Sequence, residues 1–127
     1  MTIRKLQARP GDRLVAVMIP ESELCANHVA TCNGVRQYAM ENPSWRLVFD
    51  TFADYNLAEG GYSGVVGRAT RRLAREAHRL GVPVVNVWMN SPVADQLPTV
   101  LPNAASAGLA AAEHLLGERR RLVAVVG

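Results

Sequence analysis

Leu14-Val15-Ala16-Val17-Met18-Ile19 is an uninterrupted apolar run with no polar residue on alternate positions. A strand with one wet face alternates apolar and polar residues. A strand without alternation suits a parallel sheet covered by helices on both faces. At six residues the run falls well short of the ~20 needed to cross a bilayer. Arg4, Lys5 and Arg9 precede it, as in a secretory signal, but Pro20-Glu21 follows and no small-residue cleavage site is present. The run therefore reads as a buried strand in a cytoplasmic chain.

Similar runs recur downstream, separated by segments of helical character. After a polar leader over residues 1–12 comes the first strand, Arg13–Ile19, and then a loop, Glu21–Asn27. A helix is expected over Asn27–Glu41, with Val29, Cys32, Val35 and Ala39 at helical spacing, ended by Asn42-Pro43. Trp45–Phe49 is a second strand, Asp54–Tyr62 a loop, and Gly64–Gly67 a short third strand. Ala69–Leu80 is a second helix closed by Gly81, at the position glycine favours just past a helix end. Pro83–Trp88 is a fourth strand and Asn90–Pro98 a loop. Thr99–Leu101 is a short strand, Ala104–Leu116 a third helix capped by Asn103 and closed by Gly117, and Leu122–Val126 a last strand. This alternation predicts an α/β fold, a three-layer open parallel sheet of Rossmann or flavodoxin-like architecture. A chain of 127 residues with 49% hydrophobic and 20% charged residues can bury one core without disulfide or metal.

In such sheets ligands bind beyond the carboxyl ends of the strands, where strand order reverses. The segments that fall there carry no Gly-x-Gly-x-x-Gly turn, no Gly-Lys-Ser/Thr phosphate loop and no nucleophile elbow. Glu21, Glu23, Asp50 and Asp54 lie near strand ends, as in a receiver domain, but the phospho-acceptor aspartate and late lysine of a receiver are missing. What remains is Glu21, Ser22, Asn27, His28, Arg68, Trp88 and Asn90. Carboxylate, amide and guanidinium groups hydrogen-bond hydroxyls in pairs, and an aromatic ring covers the apolar face of a sugar. These seven are the candidate sugar site. Three of them also have a plainer reading: Trp88 as core, Arg68 as the partner of Asp50 or Asp54, Asn90 as a turn initiator.

The net charge of +3 is mild, and 13 of the 14 basic residues are arginine. Arg68, Arg71, Arg72, Arg75 and Arg79 cluster at spacings that put most on one helix face, opposite Leu73, Ala77 and Leu80. That face reads as solvated, with a nucleic-acid patch as the alternative. Cys25 and Cys32, on one helix, would stand ~10 Å apart at ~1.5 Å per residue, too far for a disulfide. They read as buried thiols. His28, His78 and His114 are scattered, so no metal or other cofactor is expected.

Three stretches together resemble a known family. They are Leu80-Gly81-Val82-Pro83-Val84-Val85-Asn86-Val87, then Leu97-Pro98-Thr99-Val100-Leu101-Pro102-Asn103, then Ala107–Gly117 followed by Arg120-Arg121-Leu122-Val123-Ala124-Val125-Val126-Gly127. In this order they look like the effector-binding domain of LacI/GalR-type transcription regulators. Asn33-Gly34-Val35-Arg36-Gln37-Tyr38, Pro43-Ser44-Trp45 and Gly64-Val65-Val66-Gly67-Arg68 resemble the xylose-operon regulator type. The chain departs from that type at Asn27-His28-Val29, Ser63 and Pro102-Asn103.

The resemblance implies one lobe of a periplasmic-binding-protein-like fold. Residues 13–120 would be the N-terminal lobe of a sugar-binding domain, and residues 121–127 the start of a second lobe that the chain does not include. It implies a non-enzymatic sensor of a sugar effector, a pentose such as xylose, acting as a dimer. DNA would be contacted only through a C-terminal domain absent from this chain, and no membrane partner is implied. The small residues Ala104, Ala105, Ala107, Gly108, Ala111 and Ala112 allow close packing of the third helix, on its own sheet or on a second copy. The competing readings are a small flavodoxin-like enzyme and a lobe of a sugar-transport binding protein.

Overall fold

The computed structural model describes residues 11–20, 26–102 and 104–117. Eight elements follow in order: β1 (Arg13–Met18), α1 (Ala26–Glu41), β2 (Trp45–Phe49), α2 (Ala53–Gly60), β3 (Gly64–Gly67), α3 (Arg71–Leu80), β4 (Val84–Asn86) and α4 (Ala104–Gly117). The strands form one parallel sheet in the order β2-β1-β3-β4. The apolar run opens the chain's sheet and becomes an inner strand, paired with β2 on one edge and β3 on the other.

Alternate side chains of β1 feed two cores. Ala16 and Met18 pack with Ala53 and Leu57 of α2, Val65 of β3, and Leu73 and Ala77 of α3. Val17 and Ile19 pack on the other face with Cys32 and Val35 of α1. The fold is therefore α/β in three layers, with α1 on one face of an open parallel sheet and α2 and α3 on the other. The chain runs outward from β1 through α1, then returns past β1 through α2 and α3. Right-handed crossovers place the helices on opposite faces for just this pair of directions.

Several boundaries differ from the sequence expectation. The segment expected to be a loop over Asp54–Tyr62 contains α2. Its buried positions are Ala53, Asp54, Leu57 and Gly60, so a carboxylate and a glycine occupy core-facing sites and hide the apolar period. Gly61 closes α2 at φ 64°. The second helix starts at Arg71, not Ala69, because Thr70 is its N-cap: the Thr70 hydroxyl accepts from the Leu73 N–H at 3.1 Å. Arg68 thus leaves the helix and belongs to the loop after β3. Leu80 is exposed, so the apolar face opposite the arginines is Leu73 and Ala77 alone. Gly81 closes α3 at φ 69°, as expected, and its N–H reaches the carbonyls of Ala77 and His78.

The fourth strand spans Val84–Asn86 and does not reach Trp88. Thr99–Leu101 contributes a single parallel bridge, Thr99 to Asn86, rather than a strand. Val29 is exposed, so Cys32, Val35 and Ala39 carry the inward face of α1. In α4, Gly108, Ala111 and Ala112 of the small-residue set are exposed, and the side chains of Ala104, Ala105 and Ala107 lie outside the described residues. The expected cap Asn103, the leader over 1–10 and the strand Leu122–Val126 lie outside the described residues.

Candidate functional site

The strand order reverses direction between β1 and β3, and the chain is tightly laced where these strands end. The Arg68 N–H donates to the Met18 carbonyl at 2.9 Å, and the Val87 N–H to the Gly67 carbonyl at 2.9 Å. A Cβ on Gly67 would collide with the Met18 backbone, standing 2.7 Å from its carbonyl carbon. Glycine at this position is what lets the two strand ends meet.

Just beyond this junction the Arg68 guanidinium lies over the Trp88 ring, 4.3 Å from its centroid. Arg68 comes from the end of β3 and Trp88 from the segment after β4. Both are half-buried. Such a stack holds a planar donor fork in one orientation.

The platform beneath the stack is organised by Asn86, which is fully buried. Its Oδ1 accepts from the Ala69 and Trp88 N–H groups, each at 3.1 Å, and its Nδ2 donates to the Trp88 carbonyl at 2.9 Å. A further contact joins Nδ2 to the Thr99 hydroxyl at 3.4 Å. One side chain thus ties the loops after β3 and β4 together. Ser91 adds a second tie, its hydroxyl donating to the Ala69 carbonyl at 2.7 Å and accepting from the Val93 N–H at 3.2 Å. A polar residue inside the run Val84-Val85-Asn86-Val87 was the available signal for Asn86; the seven candidate residues did not include it.

Of the acids near the strand ends, Asp50 and Asp54 are structural, and Glu21 and Glu23 lie outside the described residues. Asp50, only 5% exposed, accepts from the Tyr62 hydroxyl at 2.6 Å, the Phe52 N–H at 3.0 Å and the Asn56 amide. Asp54 accepts from the Thr70 hydroxyl at 3.0 Å. Burial, and then the bond to Asp50, push the Tyr62 phenol well above its ordinary range. Arg68 is drawn over Trp88 rather than into an ion pair with Asp50 or Asp54.

Of the seven candidates, the structure brings Arg68 and Trp88 together. His28 is half-buried in the first turn of α1, which begins at the carboxyl end of β1. Asn90 is exposed as the third residue of the turn that the Ser91 N–H closes onto the Trp88 carbonyl at 3.2 Å, so it sits within this turn rather than initiating it. Asn27 lies in the same first turn as His28, its side chain outside the described residues, and Glu21 and Ser22 are also outside them. Cys32 is a buried free thiol, and burial raises its pKa against the pull of Arg36. Among the described residues no cluster of histidine, cysteine and acidic side chains could hold a metal ion, and no helix is long and apolar enough to cross a membrane. No family model, curated protein or solved structure matches this chain.

Proposed function

We propose that this chain is a sugar-sensing lobe of a bacterial transcription regulator of the LacI/GalR kind, closest in pattern to xylose-operon regulators. The observation that carries the reading is the Arg68–Trp88 stack beyond the strand ends, beside the point where strand order reverses. A pentose presents hydroxyls in the plane of its ring and an apolar face above it. A guanidinium fork suits the first, and the indole face that Arg68 does not cover would take the second. His28 and Asn90 stand on neighbouring segments, and Glu21, Ser22 and Asn27 belong to the same proposed set by sequence position.

In this reading the lobe is cytoplasmic and works as part of a dimer. Closure of a partner lobe over the sugar shifts the dimer between states that differ in DNA affinity, and the chain itself catalyses nothing. The test is a titration of the isotope-labelled chain with D-xylose, with glycerol as the control polyol. One lobe of the cleft alone should bind very weakly, so small, non-saturating amide shifts confined to residues 67–70, 86–91 and the first turn of α1, and lost in Arg68→Ala and Trp88→Ala, are expected. Shifts spread over the surface, or shifts unchanged by both substitutions, would overturn the proposal.

A further inference from the structure

A second concavity lies between α3 and the loop that follows Trp88. Its volume is about 520 Å³, and it is lined by Arg71, Ala74, Arg75 and His78 on one wall and Val93, Gln96 and Leu97 on the other. That volume is in the range of small-molecule sites, ~300–1,000 Å³.

The helical wall is a consequence of spacing. Residues 71, 75 and 78 follow one another by four and three positions, so they share one face of α3. Arg71 and Arg75 are one turn apart, ~6 Å along the axis at ~1.5 Å per residue. The other arginines of the helix point elsewhere and are engaged. Arg72 lies over the Tyr55 ring at 4.2 Å. Arg79 pairs with Glu76 at 2.7 Å, which occupies the acid nearest to Arg75 on the helix. Among the described residues, Arg71, Arg75 and His78 have no ion-pair partner.

Both walls are held in place before any ligand arrives. Buried Leu73 and Ala77 anchor α3, with Thr70 and Gly81 at its ends. The opposite loop is pinned by Ser91 to Ala69, by the Gln96 N–H to the Val93 carbonyl at 3.0 Å, and by the Thr99 hydroxyl to the Ala94 carbonyl at 2.8 Å. Val93 is buried and Leu97 half-buried, giving an apolar floor beneath the cationic rim. Asp95 is on the same loop but does not line the cavity.

We infer that this cavity binds a small organic oxyanion carried on an apolar body, a second ligand site separate from the Arg68–Trp88 platform. Arg71 and Arg75 clamp the oxyanion by charge-assisted hydrogen bonds, His78 adds a third donor, and Val93 and Leu97 take the apolar part. An apolar floor beside two arginines that make no ion-pair contact among the described residues distinguishes this face from a merely solvated one.

The experiment is an amide-shift titration of the full chain with phenyl phosphate, benzoate, benzyl alcohol and inorganic phosphate. Phenyl phosphate, benzoate or both are expected to move the amides of Arg71–His78 and Val93–Leu97, and whichever binds tells phosphate ester from carboxylate. Benzyl alcohol and inorganic phosphate are expected to bind at least about tenfold more weakly, lacking the charge or the apolar body. Arg71→Gln/Arg75→Gln should lose about tenfold or more of the affinity, and Arg72→Gln should lose none. The single variants R71Q and R75Q serve if the double variant melts early. Inorganic phosphate binding as tightly as phenyl phosphate would overturn the inference. So would an unchanged affinity in the variants, or a duplex DNA that shifts Arg72 and Arg79 equally with Arg71 and Arg75.

Discussion

Replacing Asn86 with alanine removes the side chain that joins the loops after β3 and β4. The Ala69 N–H would lose its acceptor inside a residue with no solvent exposure. A buried donor left without a partner costs ~1–3 kcal/mol. The Trp88 N–H and carbonyl lose their bonds too, but Trp88 is half-buried and water can replace part of the loss. The small void left by the amide adds ~1 kcal/mol. The expected destabilisation is about 3 kcal/mol, a large share of the ~5–15 kcal/mol typical of a folded domain. Urea unfolding followed by tryptophan emission and far-ultraviolet dichroism would read it as a lower midpoint with an unchanged slope. Because the loops also carry Arg68 and Trp88, tryptophan emission of the folded variant should change as the stack loosens. A loss under about 1 kcal/mol, with native emission unchanged, would refute the assignment of Asn86 as the tie between the loops.

Three further outcomes follow from the same geometry. Gly67→Ala forces a methyl group against the Met18 backbone and should cost about 3 kcal/mol or more, read as a fall in melting temperature. Tyr62→Phe removes the 2.6 Å bond to buried Asp50 and should cost about 1.5–3 kcal/mol at neutral pH by urea unfolding. The Tyr62 phenol titrates higher folded than unfolded, so its contribution is complete below the unfolded value of ~10 and is lost as pH rises beyond it. The phenylalanine variant should lack that part of the alkaline loss. Thr70→Ala breaks both the cap on α3 and the bond to Asp54 and should cost about 1–2 kcal/mol by the same assay.

The sheet was legible because its strands are written in β-branched residues. Val15 and Val17, Val65 and Val66, and Val84 and Val85 each mark a strand with no competing helical period. The closure of α3 was legible in Gly81. The helix α2 was not, since Asp54 and Gly60 face inward and the reason is tertiary: Asp54 meets Thr70, and Gly60 makes room for the Tyr62 ring. The same holds at the candidate site. Arg68 and Trp88 could be placed at strand ends from sequence. That Arg68 lies over Trp88, and that Asp50 is held by Tyr62, Asn56 and the Phe52 N–H, are contacts that only the folded chain reveals.

The two faces of the sheet are not equally secured. One is sealed by α2 and α3 over a broad buried cluster, the other by α1 over Val17, Ile19 and Cys32, with Val66 bordering an apolar groove beside α1. Opening free energy tracks the apolar surface that an opening exposes. On the packing of the described residues, amide protons of α1 are expected to exchange with solvent before those of α3. In that outcome the half that carries Arg68 and the α3 cavity would stay closed while the α1 half opens without global unfolding.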